Sequence, residues 1–165
     1  PDGQCFGAER TQNYAQCQRG ELISPKIDLS ACKSLKVSLV FEHAYAFWSN
    51  GSFFDGGIAE ISSDDGATWT VPTATYPGTV KINPTINGKS CVLKDSFHVH
   101  NKMGFVQNAA ASTTTIDIPA SAVNDKMRIR FSQASGVSSD TTNAGIAMRI
   151  GTSSTVLGRG ASAIS

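Results

Sequence analysis

From Leu35 the apolar residues fall on alternate positions: Leu35, Val37, Leu39, Phe41, Tyr45 and Phe47, with Lys36, Ser38, Glu42 and Ala44 between them. A side-chain period of two over a dozen residues predicts a long strand with one face on a core. Asn50-Gly51 and Asp55-Gly56-Gly57 follow and tolerate positive φ, so the strand turns and 58–62 reads as its return. Asp64-Asp65-Gly66 predicts the next hairpin, ahead of Thr68-Trp69-Thr70-Val71. Further strands are expected at 21–24 (halted by Pro25), 27–30, 80–82, 91–93, 96–100 and 104–106. Three cleaner ones follow at 114–118, 126–132 and 146–150. In the second of these Met127, Ile129 and Phe131 alternate with Lys126, Arg128 and Arg130, which predicts a solvent face for the basic set. Residues 72–89, apart from the short strand at 80–82, and the small-residue run 109–112 read as loop.

About nine strands with no amphipathic helix predict an all-β chain, an antiparallel β-sandwich of jelly-roll type. Residues 1–20 form a polar arm, 21–157 the sandwich domain, and 158–165 a flexible tail without core residues. The 165 residues are one domain's worth of chain. With a formal net charge of +1 and 16% charged residues, there is no electrostatic footprint for nucleic acid or an anionic membrane. No stretch is long and apolar enough for a membrane span. The opening Pro1-Asp2-Gly3 fits a processed or trimmed N-terminus.

Cys5, Cys17, Cys32 and Cys91 form no CxxC, which argues against zinc ribbons and thioredoxin-like sites. Four cysteines in a Ser/Thr/Asn-rich β chain favour two disulfides and an oxidising, extracellular or cell-surface location. Of the three pairings, Cys5–Cys17 with Cys32–Cys91 is favoured, because the polar segment 4–18 needs a local anchor. The alternative is four buried thiols.

The order of motifs resembles a family. Ser24-Pro25-x-Ile27-Asp28-Leu29-Ser30 precedes the long strand with Phe41 and His43. Phe54-Asp55-Gly56-Gly57-Ile58-Ala59-Glu60-Ile61-Ser62 then leads to Asp64-Asp65-Gly66-Ala67-Thr68-Trp69, and later to Ile116-Asp117-Ile118 and Met127-Arg128-Ile129-Arg130-Phe131. This is similar to secreted bacterial MAM-like jelly-roll modules, of the kind appended to immune-inhibitor-A-type metalloproteases and other cell-surface proteins. The resemblance covers about residues 22–132. Those modules end on an aromatic followed by Ile-Asp-Asp-Val, where this chain has Gly145-Ile146-Ala147-Met148-Arg149-Ile150.

Candidate chemistry is sparse. There is no GxSxG and no HExxH, so no enzyme is expected. Asp55 in its glycine-flanked turn and Glu42 are the calcium candidates, since a hard cation needs carboxylate and carbonyl oxygens. The resemblance implies the same structural Ca2+. The alternative for Asp55 is an Asx cap of its own turn. His98 and His100, two apart on an expected strand, would share a face and could join His43 in a zinc site; two solvent-facing histidines fit as well. Trp48, Phe53 and Phe54 around Asn50-Gly51 are candidates for stacking on a sugar or docking a protein; otherwise they rim the core. Trp69 is expected in the core, and Asn50-Gly51-Ser52 fits a glycosylation sequon.

These features predict a non-catalytic extracellular module for binding or adhesion to a cell-surface glycan or protein. The alternatives are a self-assembling structural subunit of a surface filament, with arm or edge strands crossing to neighbours, and an accessory domain of a secreted hydrolase.

Overall fold

The computed structural model describes residues 5–6, 17–49, 51, 55–82, 85–86, 89–90, 96–136 and 146–151. Its strands, in chain order, are β1 (Cys5–Phe6), β2 (Arg19–Ile23), β3 (Ser38–Ala46), β4 (Gly56–Ser62), β5 (Gly78–Thr79) and β6 (Thr85–Ile86). β7 (Lys89–Ser90), β8 (Met103–Val106), β9 (Asn108–Asp117), β10 (Arg128–Ala134) and β11 (Ile146–Gly151) complete the set. Seven of them exceed two residues, against the nine expected, and every ladder is antiparallel. The all-β class holds: the helical residues described are the short 3-10 turns Ser30–Cys32, Ser96–Val99 and Ala120–Ala122.

Two sheets carry the fold. One runs β1-β11-β3-β9 and the other β2-β10-β4-β8-β5, with β6 and β7 as a separate hairpin. The alternation that begins at Leu35 does its work here: Phe41, Tyr45 and Phe47 are buried, and Val37 and Leu39 pack partly buried on the same core. The other sheet answers with Ala59, Ile61, Phe105, Ile129 and Phe131. The Phe41 ring meets Phe131 at 4.8 Å and Phe105 at 6.0 Å, both edge-on, so the two sheets share one core. Burial of each such side chain contributes about 1.5–3 kcal/mol.

β4 is buried along its whole length. One face lies on the main core. Over the other fold Val80, Ile82 and Val99, which form a second apolar cluster with Ile58, Val106 and Ala134. β8 approaches β4 so closely that a Cβ at Gly104 would collide with the carbonyl oxygen of Gly57. After β4 the Asp64-Asp65-Gly66 turn forms as the residues suggest, with Asp65 at φ 62° and Gly66 at φ 93°. Hydrogen bonds from Thr68 and Ser62 hold the Asp64 carboxyl down to about 2.

Several expectations are corrected. Residues 96–99 form a 3-10 turn, not a strand, because the turn drops Val99 into the second cluster at zero exposure. Residues 109–112 are strand, since β3 supplies a ladder partner whatever their intrinsic preference. Stretches 27–30 and 68–71 contribute only isolated bridges, Ile27 to Met127 and Thr70 to Ile61. Trp69 is half-buried outside the core, with the Arg130 guanidinium 4.3 Å above its ring. The arm is partly an element of the fold, with Cys5 and Phe6 paired to Gly151 and Ile150. The expected strand at 91–93 and the tail 158–165 lie outside the described residues.

The expected Cys32–Cys91 bridge does not form. Cys32 closes the turn Ser30–Cys32 as a free, half-buried thiol packed on the main core. Cys17 is disulfide-bonded. The side chain of Cys5, its expected partner, and all of Cys91 lie outside the described residues.

Candidate functional site

One end of the two sheets gathers several chain segments around Asp55. As β3 runs out, Phe47 donates its N–H to the Gln107 carbonyl at the β8–β9 turn (2.7 Å). Asp55, just before β4, donates its N–H to the Trp48 carbonyl at 3.0 Å. Its carboxylate, 3% exposed, accepts the Gly136 N–H at 2.8 Å just past β10. Gly136 in turn accepts from the Cys17 N–H at 3.2 Å. Gln18 and Ser135 exchange two further bonds, Gln18 N–H to Ser135 Oγ and Ser135 N–H to the Gln18 carbonyl, both at 2.9 Å. A short acidic side chain suits this place, because a charged acceptor satisfies a buried amide without needing reach. A small depression lined by Gln18, Phe47, Gln133, Ala134 and Ser135 lies beside this junction.

A second cluster lies on the outer side of the β2-β10-β4 sheet. The register sets Glu60 opposite Arg130, and Glu21 opposite Ser132. Glu60 is fully buried. Its Oε2 accepts from Arg130 Nε at 2.8 Å and lies 2.7 Å from the Arg130 NH2 group, while Oε1 accepts from Lys102 Nζ at 2.9 Å. Glu21 bonds Arg19 and lies 3.5 Å from both Arg130 and His98. Burial pushes the Glu21 carboxyl up, but Arg19 foremost, with Arg130 and His98, brings it below its ordinary value. His98 is lowered chiefly by burial and further by Arg19 and Arg130, against Glu60 and Glu21. Among the described residues neither of its ring nitrogens has a hydrogen-bond partner. Tyr76 is pushed up to about 12 by burial and the Glu60 charge.

Each oxygen of Glu60 is engaged by a cationic side chain, Oε1 by Lys102 and Oε2 by Arg130. The cluster ties residues 98–102 down onto the sheet. It went unread in the sequence because alternation marks which side Arg128 and Arg130 share, not whether that side is covered. The available signal was Glu60 itself, a carboxylate inside the apolar run Ile58-Ala59-Glu60-Ile61.

The expected calcium pair is separated. Glu42 sits mid-β3 opposite Thr113, alternating with the core-facing Phe41 and His43, whereas Asp55 opens β4 in the other sheet. Among the described residues no three His, Cys, Asp or Glu side chains converge as a metal site. The Asp55 Oδ1 accepts the Gly136 amide. The histidines are apart as well. His43 lies in the core with Nε2 2.8 Å from Thr114 Oγ1 and its pKa lowered by burial, while His100 Nδ1 accepts from the Ile82 N–H at 3.0 Å. Trp48 is half-buried and packs on the main core at the Asp55 junction. Phe53, Phe54, Asn50 and Ser52 lie outside the described residues.

No family model, no curated protein and no solved structure matches this chain.

Proposed function

We propose that the chain is a non-catalytic extracellular module of MAM-like jelly-roll type. It binds a cell-surface glycan or protein through the end where Trp48, Asp55 and Gly136 meet. The observation that carries this reading is the buried Asp55 carboxylate bonded to the Gly136 amide, which fixes the flanks of 50–54 and 137–145 to each other. Binding residues sit disproportionately on connections held by a rigid scaffold, and Phe53 and Phe54 fall within one of these two. The disulfide at Cys17 supports an oxidising location. The engagement of Glu60, Arg130 and Lys102 with one another supports a non-catalytic role.

A glycan array probed alongside cell-surface protein capture tests the reading, with the wild type against Phe53→Ala/Phe54→Ala. Ligand retained by the wild type and lost by a double variant of unchanged melting temperature is the expected result. A ligand bound equally by both, or none in either assay, overturns it.

A further inference from the structure

We propose that β9 is a docking edge for a second copy of this chain. The two β9 strands pair antiparallel about a two-fold axis through Thr115 and join the two four-stranded sheets into one. This does not depend on the binding reading above, which uses the end around Asp55.

Among the described residues β9 has one ladder neighbour, β3, and is the outer strand of its sheet. Its stretch Ser112–Asp117 pairs with Ser38–His43 in unbroken register, so six consecutive residues present a regular open edge. The irregularity lies earlier, where Ala110 and Ala111 face Ala44 alone between the pairs His43–Ser112 and Tyr45–Ala109.

Edge strands are normally guarded by charge, proline, brevity or a bulge. The other edges here are guarded. β2 carries Arg19 and Glu21 within its five residues, whereas the charge of β9, Asp117, and the following Pro119 lie at its far end; β1 and β5 have two residues each. Ser112 to Ile116 has neither charge nor proline, is rich in threonine, and exposes Ser112, Thr113 and Thr115.

The strand is self-complementary. Residues paired across a two-fold must point to the same side of the joined sheet, so odd positions face odd positions. An axis through Thr115 sets Thr115 against Thr115, core-side Thr114 against Ile116, and Thr113 against Asp117. The Thr113 hydroxyl can donate to that carboxylate, and no like charges oppose. Each Asp117 already has a cation on its own copy, Lys36 Nζ at 2.9 Å. A second copy is therefore the occupant this edge fits, with neither repulsion nor an unpaired charge at the seam.

The test is mass in solution across a protein dilution series, with amide exchange over 112–117 followed in the same samples. The expected wild type is a dimer at high concentration whose 112–117 amides lose protection on dilution. Thr115→Lys opposes two ammonium groups directly, so it should halve the mass while keeping the melting temperature of the dilute, dissociated wild type, as an exposed position permits. Thr115→Glu, which opposes two carboxylates in the same way, is the second variant should that protein fold poorly. Thr115→Cys should form a 115–115 disulfide on mild oxidation, identified by peptide mapping. A monomer at every concentration overturns the proposal. So does a dimer that survives both charged variants at 115 and forms no 115–115 link.

Discussion

Glu60→Gln removes one charge and little volume from a fully buried side chain that takes three close nitrogen contacts between 2.7 and 2.9 Å. It leaves Arg130, with a side chain 13% exposed, to a weaker contact with Glu21 at 3.5 Å. Lys102 is 36% exposed and can turn to water. Breaking a buried pair from one side costs about 3–5 kcal/mol, and the escape open to Lys102 puts this site near the lower bound, about 3 kcal/mol. For a chain of this size that lowers the melting temperature by roughly 6–12 °C. Urea unfolding followed by tryptophan fluorescence reports it directly, because Trp69 lies beneath Arg130. The midpoint should fall while the slope with denaturant holds. A loss under about 1 kcal/mol would refute the argument that this carboxylate anchors 98–102. The triple change Glu60→Leu, Arg130→Met, Lys102→Met should restore near-wild-type stability, since removing all the charges leaves none stranded. If the triple variant is as unstable as Glu60→Gln, the deficit is one of shape and not of charge.

Three further outcomes are expected. Burial lowers the pKa of both His43 and His98, so the unfolded chain takes up protons at higher pH than the folded one. Stability should therefore be full above the ordinary histidine range and decline as pH falls from about 7 to about 5. Denaturant midpoints across that range, compared with His98→Asn, should show a smaller decline in the variant. Asp55→Ala strands the buried Gly136 amide and should cost about 1–3 kcal/mol in urea unfolding. Because Asp55 acts through that bond, a chelator should leave the wild-type melting temperature unmoved; a chelator-induced fall abolished in Asp55→Ala would assign it to a cation instead. Alkylation under denaturing, non-reducing conditions should label Cys32, and an unlabelled Cys32 in the peptide map would contradict its free thiol.

The sequence was most legible where one face of a strand is buried and the other is not. β3 and β10 followed from that alternation, and the Asp65-Gly66 turn followed from its demand for positive φ. It was least legible where residues far along the chain decide what is covered. Glu60 and Arg130 belong to a wet-looking face only until Val80, Ile82, Val99 and Lys102 fold over it. The same covering turns 96–99 out of the expected strand and brings His98 to Glu21, 77 positions earlier in the chain (98 − 21). Ala109–Ser112 had the opposite failing, a weak local preference overridden by a partner already laid down in β3. At the candidate site the glycine-flanked turn marks Asp55 in the sequence, but not the bond it makes. Its partner, the amide of Gly136, lies 81 positions away and carries no side-chain signal at all.

The position of β10 and β11 in their sheets has a consequence for how the chain comes to be folded. β10 lies between β2 and β4, and β11 between β1 and β3, so the last two strands are interior members of both sheets. As a nascent chain emerges, β2 and β4 cannot be joined until residues 128–134 arrive, nor β1 and β3 until 146–151. Each sheet waits with a gap at its middle while Phe41, Phe105 and Ile61 have no complete core to enter. Such long-range closure is slow, and it exposes unpaired edges to other chains in the interval. Completion of both sheets is therefore a late event: a chain truncated before Arg128 can pair β3 with β9 and β4 with β8 and β5, but nothing joins β2 or β1 to them.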